Sequence, residues 1–173
     1  STKSVNGYSL FEDAGYNQAL SGSNKTFTVE VICKPASASA NQVLMSKGDR
    51  QFALKTNGTN QLEFFGFYNN NWNSVTADLP SDWVGQWHQV AAVYDKGSVQ
   101  LYCDGELLTT GSTNNEIAAG SEKLGLGCSN DNGRTFDGEI SLGRIYTKAL
   151  TKTQITAQNT VNPPINENSE DIL

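Results

Sequence analysis

The segment Trp87 to Leu107, WHQVAAVYDKGSVQLYCDGEL, constrains this chain more than any other. Val90, Ala92 and Tyr94 alternate with Gln89, Ala91 and Val93, and the chain then turns at Asp95-Lys96-Gly97-Ser98. Val99, Leu101 and Cys103 alternate with Gln100 and Tyr102 before Asp104-Gly105 reverses the chain again. A period of two is that of a pleated strand, and Asp-Gly supplies the positive φ angles of hairpin turns. The segment is therefore a β-meander, and a helix at its 3.6-residue period is excluded.

The same grammar runs through the remaining sequence. Tyr8 to Phe11 is a first strand, followed by a polar loop at Glu12-Asp13-Ala14-Gly15. Phe27 to Lys34 places Phe27, Val29, Val31 and Cys33 on one face, and Pro35 ends it. Val43 to Ser46, Gln51 to Thr56 and Leu62 to Tyr68 follow, punctuated by Gly48 and Asn57-Gly58. Asn69 to Asn73 is expected to be a loop, with Val75 to Ala77 as the next strand. Lys123 to Gly127 and Phe136 to Tyr146 are the last strands. Lys152 to Gln158 is the one short helix, with Thr151 and Gln154 spaced as a capping box. Gly- and Asn-bearing turns between β-branched, aromatic strands predict an all-β, two-sheet antiparallel sandwich. With 173 residues, residues 1–160 make one domain with a substantial core. Adjacent Pro163 and Pro164 mark 161–173 as a C-terminal linker.

Three further stretches carry a family resemblance. FTVEVICKP is similar to an F-T-V-E-x-W-x-K-P strand, with Ile32 at the usual tryptophan. VLMSKG is similar to I-L-S-K-G, with Met45 as one extra residue. FDGEISLGRIYTKALTKTQI is similar to F-x-G-x-I-D-E-V-R-I-Y-x-R-A-L-S-x-x-E-I. With the W-H-x-V-A-x-V-Y-D meander, this pattern resembles laminin G-like members of the concanavalin A-like lectins and glucanases. The resemblance covers Phe27 to about Ile155 and implies a jelly roll that binds sugars or adheres to proteins. It also places Trp87 in the core and makes His88 a structural strand residue.

Charge and cysteines narrow the partners. The net charge is −6 with no basic stripe, which speaks against nucleic acid and anionic membrane surfaces. No apolar run approaches the ~20 residues of a membrane-spanning helix, so no membrane insertion is expected. Cys33, Cys103 and Cys128 are too few for a disulfide framework and are expected as small buried hydrophobes. A Cys33–Cys103 bridge would need facing positions on neighbouring strands.

Glucanase relatives place their carboxylates as E-x-D-x-E or E-x-D-x-x-E, and neither occurs here. A retaining glycosidase needs two carboxyls about 5–5.5 Å apart, and no pair in the sequence is convincing. Sugar binding needs a flat aromatic to stack on a pyranose and polar groups for its hydroxyls. Trp72 within NNNWN offers both, with Phe67, Tyr68, Asn70, Asn71 and Asn73 beside it. Arg50, Lys55, Glu63 and Phe65 lie on or beside the same strands and are expected to face outward. The other reading of Trp72 is a side chain folded back over a sheet edge; Trp83, in its own loop, is open either way. A turn at Asn130 to Arg134 is a second candidate rim. Relatives in the family commonly tie the first loop to the closing strand with structural Ca²⁺ through carboxylates and carbonyls. Here that implies Asp13 and Asp137, while Ser141 stands at the family's usual aspartate.

The expected protein is a monomeric, non-catalytic carbohydrate-binding module taking an oligo- or polysaccharide. The resemblance implies a secreted or cell-surface setting beside the catalytic domain of a larger bacterial glycoside hydrolase. The alternatives are a protein-adhesion module and a structural spacer.

Overall fold

The computed structural model describes residues 9–11, 16–129 and 133–159. Asp13 and the 161–173 linker lie outside them, as do Asn130, Asp131 and Asn132 of the second rim. In chain order the first elements are β1 (Ser9–Phe11), α1 (Tyr16–Ala19), β2 (Gly22–Ser23), β3 (Thr26–Pro35) and β4 (Val43–Ser46). Next come β5 (Phe52–Asn57), β6 (Gln61–Tyr68), β7 (Asn71–Asp78), β8 (His88–Asp95) and β9 (Ser98–Cys103). β10 (Glu106–Ser112), β11 (Glu116–Ile117), β12 (Leu124–Leu126), β13 (Gly138–Tyr146) and α2 (Lys152–Ala157) complete the chain.

The strands form a six-stranded sheet, β1-β12-β4-β5-β6-β7, and a five-stranded sheet, β10-β9-β8-β3-β13, with a short β11-β2 pair beside them. The ladders are antiparallel, as the meander requires. Lys96 and Gly97 both have positive φ, as do Asp104 and Gly105, which is the twist-matched geometry of tight hairpins. The β6–β7 turn does the same with asparagines: Asn69 and Asn70 sit at φ 49° and 59°. Asparagine tolerates this left-handed region, so the turn needs no glycine. The expected Asn69–Asn73 loop is therefore shorter than anticipated, and Trp72 stands on a strand, paired with Phe67.

Between the sheets lies one apolar core. Phe27, Val29, Val31 and Cys33 share the inner face of β3, as their alternation predicts, and all are fully buried. Phe27 and Tyr94 from one sheet meet Phe52 and Phe64 from the other, with Phe27–Tyr94 centroids 5.0 Å and Phe52–Phe64 centroids 6.0 Å apart. The outer face of the five-stranded sheet is covered too. Leu150 and Ile155 pack on Ala91, Val93 and Tyr102, so α2 closes that face. Beneath it the buried Glu30 accepts from Arg144 at 3.0 Å and from Gln89 at 2.8 Å, and Gln89 also donates to the Ile155 carbonyl. The Thr151–Gln154 capping box forms as expected.

The core expectation for Trp87 is corrected, and the reading left open for Trp83 is decided. Trp87 is 37% exposed, and Trp83 occupies the core at 2%. Trp83 stacks on the inward His88 ring at 5.1 Å and so fills the space assigned to Trp87.

The cysteines are free and buried. Cys33 on β3 and Cys103 on β9 flank β8, so two interstrand spacings, roughly 10 Å, separate their backbones, beyond disulfide reach. Burial pushes the Cys33 thiol up to about 12, and Cys103 is raised by burial and by Asp104. The folded protein is therefore expected to resist a thiol-specific disulfide reagent at pH 8, with all three cysteines reacting once it is denatured. Rapid labelling of Cys33 or Cys103 in the native state would contradict this packing.

Candidate functional site

The candidate site lies at one end of the six-stranded sheet, where the β4–β5 turn, the β6–β7 hairpin and the segment after β11 converge. On β6 the side chains alternate: Leu62 and Phe64 face the core, while Glu63, Phe65 and Phe67 face outward. Trp72 shares the outward face with Phe67, its ring centroid 4.8 Å away and tilted by 54°. Its indole Nε1–H reaches across to donate to the Asp49 carbonyl at 2.6 Å. The ring is thus fixed at its edge and by Phe67, yet 51% exposed. A tryptophan held this way presents a rigid apolar face to solvent.

Beside it is a cleft of about 410 Å³ between Arg50, Phe67 and residues 118–122. The 118–122 segment occupies the place that β5 leaves empty. Phe67 N–H donates to Gln51, and the Phe67 carbonyl accepts from Ala118. Two buried polar side chains hold this end together. Lys47 is fully buried and its ammonium donates to the Glu122 carbonyl. Gln51 donates to the Leu20 carbonyl at 3.1 Å, while its buried Oε1 has no partner among the described residues.

The ionic groups of the rim are mostly engaged. Asp49 pairs with Arg134 at 2.5 Å. Glu116 accepts from the Tyr68 hydroxyl, and that bond and its charge hold the phenol above its usual range. Arg50 is exposed and carries no hydrogen bond or ion pair among the described residues.

Arg50, Phe67 and Trp72 are thus brought to one rim, with Asn70 exposed at the hairpin tip, whereas Tyr68 shares the opposite face with its cross-strand partner Asn71. Other expected members are not positioned for a ligand. Phe65 faces outward but is only 4% exposed, so no ring face is free. Lys55 is spent on Glu63 at 3.4 Å and on Asn41 at 2.8 Å, farther along the sheet. Asn71 and Asn73 fall on the face opposite Trp72, in phase with the core residue Val75. Asp137 is exposed and donates its N–H to Gln42 at 2.9 Å. Asp49, Glu116 and the 118–122 wall were not anticipated, because a short Ala-Ala-Gly-Ser run has no periodicity to mark it.

A second cluster has different chemistry. Ligating atoms of His88, Cys103 and Asp104 lie within 4.8 Å of one another. His88 Nδ1 contacts Asp104 Oδ2 at 2.7 Å, and Nε2 faces the carbonyls of Asp82 and Trp83, each at 3.1 Å. Both nitrogens face acceptors, so the protonated imidazole donates from both and in that form offers no lone pair to a metal. Burial lowers the imidazole's proton affinity, but the Asp104 carboxylate and the Asp82 carbonyl outweigh it and the pKa is raised. The cluster is a structural latch.

The architecture is that of a jelly-roll sandwich with an aromatic rim. The family model described as the concanavalin A-like lectin/glucanases superfamily matches residues 7–156, and the chain belongs to that family. A search of curated proteins gives no match. Among solved structures, the chain is similar to a candidate carbohydrate-binding protein of Bacteroides ovatus (19% identity, TM-score 0.67), covering 88% of this chain but 44% of that one. It is similar to the CBM40 of Ruminococcus gnavus IT-sialidase bound to α2,6 sialyllactose, at 20% identity and TM-score 0.62, covering 78% of this chain and 83% of that one. A third is domain 4 of AbnA, a GH43 extracellular arabinanase of Geobacillus stearothermophilus, in complex with arabinotriose. There the identity is 22% and the TM-score 0.60, covering 86% of this chain and 70% of that one. At these identities the likeness is one of fold. No helix among the described residues is long and apolar enough to cross a membrane.

Proposed function

We propose that this protein is a non-catalytic carbohydrate-binding module whose ligand stacks on Trp72 and docks against Arg50 in the adjoining cleft. The observation that carries it is the Trp72 ring, fixed at its edge by Asp49 and Phe67 and open on one face. Solved relatives in complex with sialyllactose and arabinotriose lend the fold-level support. In this reading the module works as a monomer outside the cell, beside the catalytic domain of a glycoside hydrolase. Weak capture there raises the enzyme's effective concentration at the glycan. Structural calcium belongs to the same reading, through Asp137 and Asp13.

A glycan array that includes plant polysaccharides, followed by titration calorimetry, tests it. Trp72→Ala is expected to weaken binding about 30-fold, the scale of a central aromatic anchor. Its Tm should fall by no more than about 4 °C, corresponding to roughly 1 kcal/mol in a domain of this size. Repeating the titration with and without chelator separates a calcium requirement from the aromatic one. Absence of glycan binding by a folded wild type would sink the proposal and favour protein adhesion.

A further inference from the structure

We propose that the sugar held at this rim is acidic, its carboxylate paired with Arg50. The inference rests on the carbohydrate-binding reading and names its ligand class.

The argument comes from which charges are already satisfied. Lys47 is buried against the Glu122 carbonyl, Lys55 is paired with Glu63, and Arg134 is paired with Asp49. Among the described residues of this rim, Arg50 is the cation left over. It stands in a cleft with Phe67 behind it and has neither ion pair nor hydrogen bond among the described residues. A guanidinium offers a planar fork of donors that fits a carboxylate with two parallel bonds. A neutral sugar hydroxyl uses only one of them. The cleft is shallow and open to solvent, and a wall built from Ala118, Ala119, Gly120 and Ser121 leaves it unobstructed.

The acids of the rim sharpen the case. Asp49 and Glu116 are engaged by Arg134 and Tyr68, so neither neutralises Arg50. Glu122 lines the same cleft without an ion pair to Arg50. In the bound state its carboxylate accepts from sugar hydroxyls, but it also repels a ligand carboxylate. The chain's net charge of −6 opposes an anion at long range, yet salt screens that field beyond about 8 Å. The contact pair therefore decides.

The experiment compares oligogalacturonate, oligoglucuronate and sialyllactose with their carboxyl-reduced or desialylated counterparts, by calorimetry on the full chain. Wild type is expected to bind an acidic ligand at least tenfold more tightly than its neutral counterpart. Arg50→Gln should collapse that difference, and Glu122→Gln should enlarge it two- to fivefold. Either acid supports the class, and a preference between uronate and sialate assigns its source. Equal affinity for acid and neutral forms, or an acid preference that survives Arg50→Gln, overturns the inference. If Trp72→Ala still abolishes that neutral binding, the carbohydrate-binding reading stands without it. Binding of no sugar by folded wild type overturns both.

Discussion

Phe27→Ala is expected to destabilise the fold by about 3–5 kcal/mol, lowering Tm by roughly 10 °C or more. Phe27 is fully buried and touches three rings, at 5.2 Å to Phe52, 6.3 Å to Phe64 and 5.0 Å to Tyr94. Two of these belong to the opposite sheet, so truncation opens a cavity across the seam between the sheets. Such a cavity refills poorly, because both walls are hydrogen-bonded ladders whose spacing is fixed. Phe27→Leu keeps most of the volume and should cost clearly less. Leu107→Ala, at an exposed position of β10, should stay within about 0.5 kcal/mol. Urea titrations of the three variants check the ranking; a Phe27→Ala loss below about 1 kcal/mol would mean the sheets close over the gap. Function should follow stability here. Phe64 sits on β6, whose outward Phe67 helps build the rim, so a loosened seam is also expected to weaken glycan capture.

The meander was legible because two independent signals coincide there. Alternation sets the strand, and Lys96-Gly97 and Asp104-Gly105 provide turn chemistry that fits no other connection. The capping box of α2 was legible for the same reason. Where one signal stood alone, detail was lost. Asn69 to Asn73 is all polar apart from Trp72 and looks like a loop, but Asn69-Asn70 alone makes the turn. Asn71 then begins a strand whose apolar residues are Trp72, Val75 and Ala77, and its parity turns Asn71 and Asn73 away from Trp72. Trp83 and Trp87 are equally apolar; only the tertiary contact with His88 decides which is buried. Phe65 shares parity with Glu63, and parity fixes the face but not the exposure. The 118–122 wall, β11 and the one-turn α1 carry no period at all. β11 and the wall are held instead by backbone partners, β11 on β2 and the Ala118 N–H on the Phe67 carbonyl.

The latch at the other end of the sandwich gives the second large effect. Asp104→Asn is expected to cost about 1–3 kcal/mol near pH 5.5, because it removes the charged acceptor of His88 Nδ1 while the imidazole stays buried. The pH profile has two limbs. His88 has a folded pKa above its ordinary 6.5, so its stabilisation is present below 6.5 and is lost as pH rises through the folded value. For Asp104, burial acts upward, but hydrogen bonds from His88 and the Gln89 N–H outweigh it and the pKa falls below 3.8. Its stabilisation is present above 3.8 and is lost as pH falls through the lower folded value. The latch is therefore strongest between about pH 4 and 6.5. His88 is the sole histidine, so the alkaline limb and a single imidazole resonance report it directly. Asp104→Asn should flatten that limb and lower the resonance's titration midpoint; an unchanged midpoint would show that Asp104 does not hold the proton. β8 separates the latch from the rim. It runs from His88 to Asp95, about 23 Å of strand, and Tyr94 near its far end bonds Asn114 beside the rim residue Glu116. Glycan affinity in Asp104→Asn should therefore match wild type at pH 5.5. If affinity instead falls with the latch, the sugar docks at the Trp87 end and the Trp72 rim is the wrong site.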